Sequence, residues 1–109
     1  MGMQQCDVIE AYAVLILLDR ENAPLYTENI RGELGKNFIG NSKLPNTHAL
    51  ASIFRRSDYF ISIKERDGDP RRYKISAKIY EKLLPHIPEL FQLASSPKKL
   101  SKKLRSYSS

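Results

Sequence analysis

The chain has 109 residues, 41% of them hydrophobic and 28% charged, which bounds it to one domain with a real core and excludes a disordered or fibrous class. Its longest apolar run, Ala11 to Leu18, is far short of the roughly 20 residues a membrane helix needs, and with no basic leader or small-residue cleavage site it is no signal peptide. The formal net charge of +6 favours a polyanionic partner.

The near-terminal stretch Met1–Cys6 misses the Ser or Thr at position 6 that a myristoylation signal requires. Cys6 is the single cysteine and has no Cys or His neighbour at metal spacing, so no internal disulfide, metal or cofactor is expected. Asp7 to about Arg20 reads as a helix with Asp7 as its cap. Val8, Ala11, Tyr12, Leu15 and Leu18 recur at helical spacing, while Val14, Ile16 and Leu17 make the segment apolar almost all round, so it is predicted to be central and buried. Glu21-Asn22-Ala23-Pro24 ends it, and Leu25-Tyr26 makes a short extended piece.

Thr27 is predicted to cap a second helix, Glu28 to Leu34, with Ile30 and Leu34 as its buried pair and Gly35 stopping it. A connection follows from Lys36 to Pro45, with Gly40, Asn41 and Ser42 as turn residues and Phe38 and Ile39 tucked onto the core. Asn46 caps a third helix, Thr47 to Arg56, which turns Leu50, Ile53 and Phe54 inward and Thr47, His48, Ala51, Ser52 and Arg55 outward. Tyr59 to Arg66 and Arg71 to Ile75 alternate as strands around the hairpin signal Asp67-Gly68, with Tyr73 and Ile75 facing the core and Arg72 and Lys74 facing out. Ser76 caps a fourth helix with the stripe Ile79, Tyr80, Leu83 and Leu84, ended by Pro85; a short turn restarts at Pro88. Residues 4–94 form the predicted domain. Residues 95–109 form a basic tail, either disordered or a weakly amphipathic helix carrying Leu100, Leu104 and Tyr107.

Charge is unevenly spread along this order. Residues 1–35 hold two basic and six acidic side chains, net −4; residues 36–82 hold eleven and five, net +6. Residues 83–94 add −1 through Glu89, and residues 95–109 add +5. Such asymmetry is the footprint of a chain that meets a polyanion on one side; the plainer alternative is a generally basic surface.

The expected class is mainly α with a small β-hairpin (α+β), in the order helix, short strand, helix, helix, hairpin, helix. Thr27-Glu28-Asn29-Ile30-Arg31-Gly32-Glu33-Leu34-Gly35 resembles the second helix of winged helix-turn-helix proteins, Asn46 to Arg56 resembles their recognition helix, and Tyr59 to Ile75 resembles the wing. The resemblance covers residues 7–84 and is one of pattern and order. The connection at 36–45 departs from it, being longer than the usual three- or four-residue turn.

That resemblance implies a DNA-binding module, either a transcription regulator or a DNA-docking piece of a larger system. The residue types agree with it. A helix fits the major groove, and the outward Thr47, His48, Ser52 and Arg55, with Asn46 and Arg56 at its ends, have the reach for base edges or phosphate. Lys43 precedes that helix as a phosphate candidate. Lys64, Arg66, Arg71, Arg72 and Lys74 crowd the hairpin, where arginine suits a minor groove. Lys98, Lys99, Lys102 and Lys103, with Arg105, are candidates to embrace neighbouring backbone. For each group the plain alternative is a solvated charged surface.

Catalysis finds no foothold. His48 and His86 lie in different elements, and no triad, carboxylate cluster or phosphate loop is present, so the chain is not expected to be an enzyme. The expected partner is double-stranded DNA inside a cell, with no membrane role and a homodimer through the first and last helices as a further expectation. The competing reading is a winged helix used for protein contacts, through Tyr12, Phe60, Phe91 and Leu93 if uncovered; structured RNA is a third partner class.

Overall fold

The apolar run near the N-terminus becomes the axis of the molecule. The computed structural model describes residues 5–40, 44–64, 66 and 68–107, with side chains from residue 8 onward. Helix α1 spans Gln5–Asp19, and Ile9 and all of residues 11–18 are buried. A helix apolar on every face needs neighbours on every face; here the remaining helices and the sheet supply them. The apolar surface of α1 is thereby enclosed within its own chain. Asp7 lies inside α1, which starts two residues ahead of it, so it does not cap the helix.

Strand β1 (Leu25–Tyr26) leads directly into α2 (Thr27–Asn37). Thr27 is the first helical residue rather than the cap. The side chain of Asn29 turns back instead, its Oδ1 accepting the Tyr26 N–H at 3.3 Å. Ile30 and Leu34 are fully buried, as their spacing predicts. Gly35 does not end α2, which runs on to Asn37. The added turn carries Phe38 onto the core, where its ring stacks on Tyr12 at 4.7 Å between centroids. The left-handed residue that releases the chain is Gly40, at φ +76°.

Helix α3 (Thr47–Arg56) and the hairpin strands β2 (Phe60–Ile63) and β3 (Arg72–Ile75) follow. The sheet is antiparallel with order β1-β3-β2 and register Leu25–Tyr73, Phe60–Ile75 and Ser62–Tyr73. Tyr73, Ile75 and Phe60 face the core, and Phe54 of α3 packs on the rings of Phe60 and Tyr73 at 5.1 and 5.3 Å. Alternation puts Arg72 and Lys74 on the outer face with Tyr26, Ile61 and Ile63. The architecture is mainly helical with a small three-stranded sheet, as the sequence predicts.

The predicted element order holds to the end of the chain, with two corrections. Helix α4 (Ala77–Leu83) buries Ile79 and Leu83, but Leu84 is 45% exposed. The chain tightens into a 3₁₀ turn at Leu84–His86, as Pro85 forbids a continued α-helix, and this rotates Leu84 off the apolar stripe. Helix α5 (Ile87–Gln92) buries Leu90. The segment set apart as a tail forms helix α6 (Pro97–Arg105), and Leu100 and Leu104 are fully buried against α1. A tail whose leucines complete the core is part of the domain. Among the described residues no helix is long and apolar enough to cross a membrane.

Tyr12 links these layers. Its hydroxyl donates to the Ala94 carbonyl at 3.0 Å, and burial pushes its pKa above the ordinary 10.0. A folded-state pKa raised in this way contributes stability that is whole below pH about 10 and is lost as pH climbs through the raised value. Tyr12→Phe is therefore expected to cost about 1 kcal/mol near neutral pH. The gap to wild type in urea midpoints should then narrow as pH rises above about 10. A gap constant over that range would assign the hydroxyl no such role.

Candidate nucleic-acid interface

Local chemistry sets the outward face of α3. The Asn46 side chain caps the helix, its Oδ1 accepting the Ala49 N–H at 2.8 Å. Leu50 and Phe54 anchor the inner face, with Ile53 half-buried beside them. Thr47, His48 and Arg55 are consequently exposed, while Ala51 and Ser52 between them are half-buried. Arg55 Nη2 donates to Ser52 Oγ at 3.1 Å, which steadies the guanidinium along the helix surface. Arg56 is exposed at the C-terminal end.

The hairpin turn is closed by the Asp69 N–H donating to the Arg66 carbonyl at 3.1 Å, with Gly68 in the left-handed region at φ +88°. Beyond the turn, Arg71 is exposed, its Nη1 donating to Ser62 Oγ across the hairpin at 3.4 Å. Lys64 and Arg66 are exposed near the tip.

These two elements meet at an open groove of about 620 Å³, and the start of α2 supplies a third wall. Thr47, His48, Ala51 and Arg55 line it from α3, Pro70, Arg71 and Tyr73 from the hairpin, and residues 26–29 from β1 and α2. Arg31 helps hold α2 and α3 in this relation, donating from Nε to the Pro45 carbonyl at 2.9 Å, just ahead of α3. The base of β3 is held from the other side by Asn22. Its carboxamide donates to the Ile75 carbonyl at 2.9 Å and accepts the Ile75 N–H at 2.7 Å. In the β1–β3 register the next backbone pair toward Ile75 would involve residue 23, so the Asn22 side chain stands in for a missing strand residue.

The groove thus gathers part of the predicted set. Thr47, His48, Arg55 and Arg71 line it together, and Asn46, Ser52, Lys64 and Arg66 lie on the same elements beside it. Arg72 and Lys74 lie instead on the outer face of the sheet, where the Arg72 guanidinium sits 5.9 Å from the centre of the Tyr26 ring. Lys43 lies outside the described residues, as does Asp67. Lys98, Lys99, Lys102 and Lys103 are carried on α6, which packs on α1 and contributes nothing to the groove lining. Lys103 is also engaged there, 3.7 Å from Glu89 and 5.9 Å from the Tyr107 ring centre.

Sequence reasoning missed the third wall, Tyr26 to Asn29. Glu28 brings a carboxylate to a groove otherwise served by arginines. The apolar residues named for protein docking are largely covered: Tyr12 and Phe60 are buried, Phe91 and Leu93 half-buried. Among the described residues, the large apolar side chains that are exposed are Tyr26, Ile61 and Leu84. No protein-family model, curated protein or solved structure matches this chain.

Proposed function

We propose that the chain is a DNA-binding winged-helix module, used as a transcription regulator or to dock a larger system on DNA, with no enzymatic activity of its own. In this reading α3 presents Thr47, His48 and Arg55 to base edges, and one sugar-phosphate strand runs between α3 and the hairpin wing. Arg55 and Arg71 hold that strand from its two sides. The observation that carries the reading is the meeting of these two arginines with Thr47 and His48 in one open groove. A guanidinium offers a fixed fork of donors suited to phosphate and to guanine. The hydrogen bonds of Arg31 and Asn22 hold the groove walls in place, so little ordering remains to oppose binding. An intracellular place goes with a DNA partner.

One observation favours the competing reading of a protein-contact module. The outer sheet face holds Ile61, 41% exposed, alongside Ile63, Arg72 and Lys74. The DNA reading is preferred because the groove sets Arg55 and Arg71 beside Thr47 and His48, whereas Arg72 and Lys74 on that face stand opposite isoleucines.

The test is anisotropy of a fluorescent random duplex between about 50 and 200 mM salt. Affinity should fall linearly on log-log axes, with a slope of about 0.9 per phosphate neutralised. Arg55→Ala combined with Arg71→Ala is expected to flatten the slope by up to roughly 2. Its melting temperature should stay unchanged, since both side chains are exposed. A slope equal to wild type in the double variant would remove the groove from the reading. No binding at 50 mM salt would transfer preference to protein docking.

A further inference from the structure

We infer that the groove accepts an unpaired nucleotide, so that the chain prefers duplex DNA with a single-stranded end; this rests on the DNA reading above. Three features of the groove point past a simple phosphate clamp.

The first is its size. At about 620 Å³ it lies within the roughly 300–1,000 Å³ range that receives whole small-molecule-sized groups. Its interior is recessed: Ala51 of α3 is half-buried and Tyr73 is buried, although both line it.

The second is a planar side chain at the rim. Tyr26 is 44% exposed, a large aromatic left open where a strand passes into a helix. Arg72 lies over its ring on the outer face of the sheet and does not itself line the groove, so the ring stands at the rim, between that face and the space it borders. Aromatic rings of this kind carry the faces of unpaired bases, and a guanidinium on a ring strengthens the stack. His48 adds a second planar side chain to the lining.

The third is Glu28. A carboxylate repels phosphate, so it is out of place in a groove that only holds backbone. It is well placed to accept hydrogen bonds from the exocyclic amino group of a base. Asn29 beside it has its Oδ1 taken by the Tyr26 N–H, which leaves its amide N–H groups as the donors at that wall. Arg55 and Arg71 then take the flanking phosphates. The combination of stacking ring, base-edge acceptor and donor, and phosphate cations matches a nucleotide outside a duplex.

The experiment compares one labelled duplex, blunt or with a short single-stranded tail, by anisotropy at fixed salt. A 2-aminopurine placed in the tail next to the junction reports stacking directly. The tailed duplex is expected to bind roughly 5- to 150-fold more tightly, the range that stacking one base provides, with quenched 2-aminopurine fluorescence. Tyr26→Ala should bring the tailed-to-blunt ratio close to one, and Tyr26→Phe should preserve it; thermal melting of both variants checks the fold. Equal affinity for both duplexes with unquenched fluorescence overturns the inference and leaves the DNA reading standing. So does a ratio that survives Tyr26→Ala. Failure of both duplexes to bind at 50 mM salt overturns the inference and the DNA reading together.

Discussion

Replacing Leu100 by alanine is expected to destabilise the fold by about 2–5 kcal/mol, as is replacing Leu104. Both side chains are fully buried, one turn apart on α6, and both pack on α1. Truncation removes apolar area from the core and leaves a cavity that a central helix fixed on all sides cannot collapse to fill. Because the two leucines share one packing surface, the double variant should depart from the sum of the single effects. Lys98→Ala or Lys99→Ala, on the exposed side of the same helix, should change stability by no more than about 0.5 kcal/mol. Chemical denaturation separates these outcomes. A Leu100→Ala variant as stable as wild type would make α6 a detachable tail after all, and would return its lysines to the list of mobile DNA-binding groups.

Asn22→Ala is expected to lower stability by about 3 kcal/mol, combining two lost hydrogen bonds with the desolvation of their abandoned partners. Asn22 is buried, and its carboxamide satisfies both backbone groups of Ile75, 53 residues away. At roughly 4 °C per kcal/mol for a chain of this size, the melting temperature should fall by about 10 °C. A second effect adds to this. Asn22 sits at φ +60°, a left-handed conformation that asparagine tolerates and alanine resists. Asn22→Gly loses the same hydrogen bonds without that strain, so it should melt above the alanine variant. Equal melting of the two would mean that the backbone relaxes freely there; melting of both at the wild-type temperature would deny Asn22 any supporting role. Since Ile75 anchors the arm of the hairpin that carries Arg71, losses at Asn22 should also weaken DNA binding.

Much of the fold is legible in the sequence because it rests on local periodicity. The all-apolar run of α1, the Leu50 and Phe54 stripe of α3, and the alternation of Tyr73 and Ile75 each declare an element and the face it buries. The features that escape are those decided by distant partners. Leu100 and Leu104 look too sparse to hold a helix until α1 is there to receive them. Asn22 looks like an ordinary helix terminator, because nothing nearby shows that its carboxamide completes a strand. Gly35 looks like a helix stop, yet Phe38 gains more by reaching Tyr12 through one further turn.

The candidate site divides along the same line. Thr47, His48 and Arg55 were readable from helical spacing, and Arg71 from the charge of the hairpin. Tyr26 and Glu28 were not, since residues 25–29 read only as the entry to a helix. Their approach to α3 depends on how α2 crosses it, which Arg31 fixes through Pro45. Arg72, Lys74 and the α6 lysines were counted by charge alone, and charge does not record which face of the molecule carries it.

The central claim is that duplex DNA docks on α3 and the hairpin with one strand in the groove between them, and amide chemical-shift mapping during titration with a blunt duplex tests it most directly. The account predicts shifts concentrated at residues 26–29, 47–56 and 71–73, with α6 little changed. Shifts confined to residues 97–105, or to the outer sheet face around Ile61 and Lys74, would contradict it.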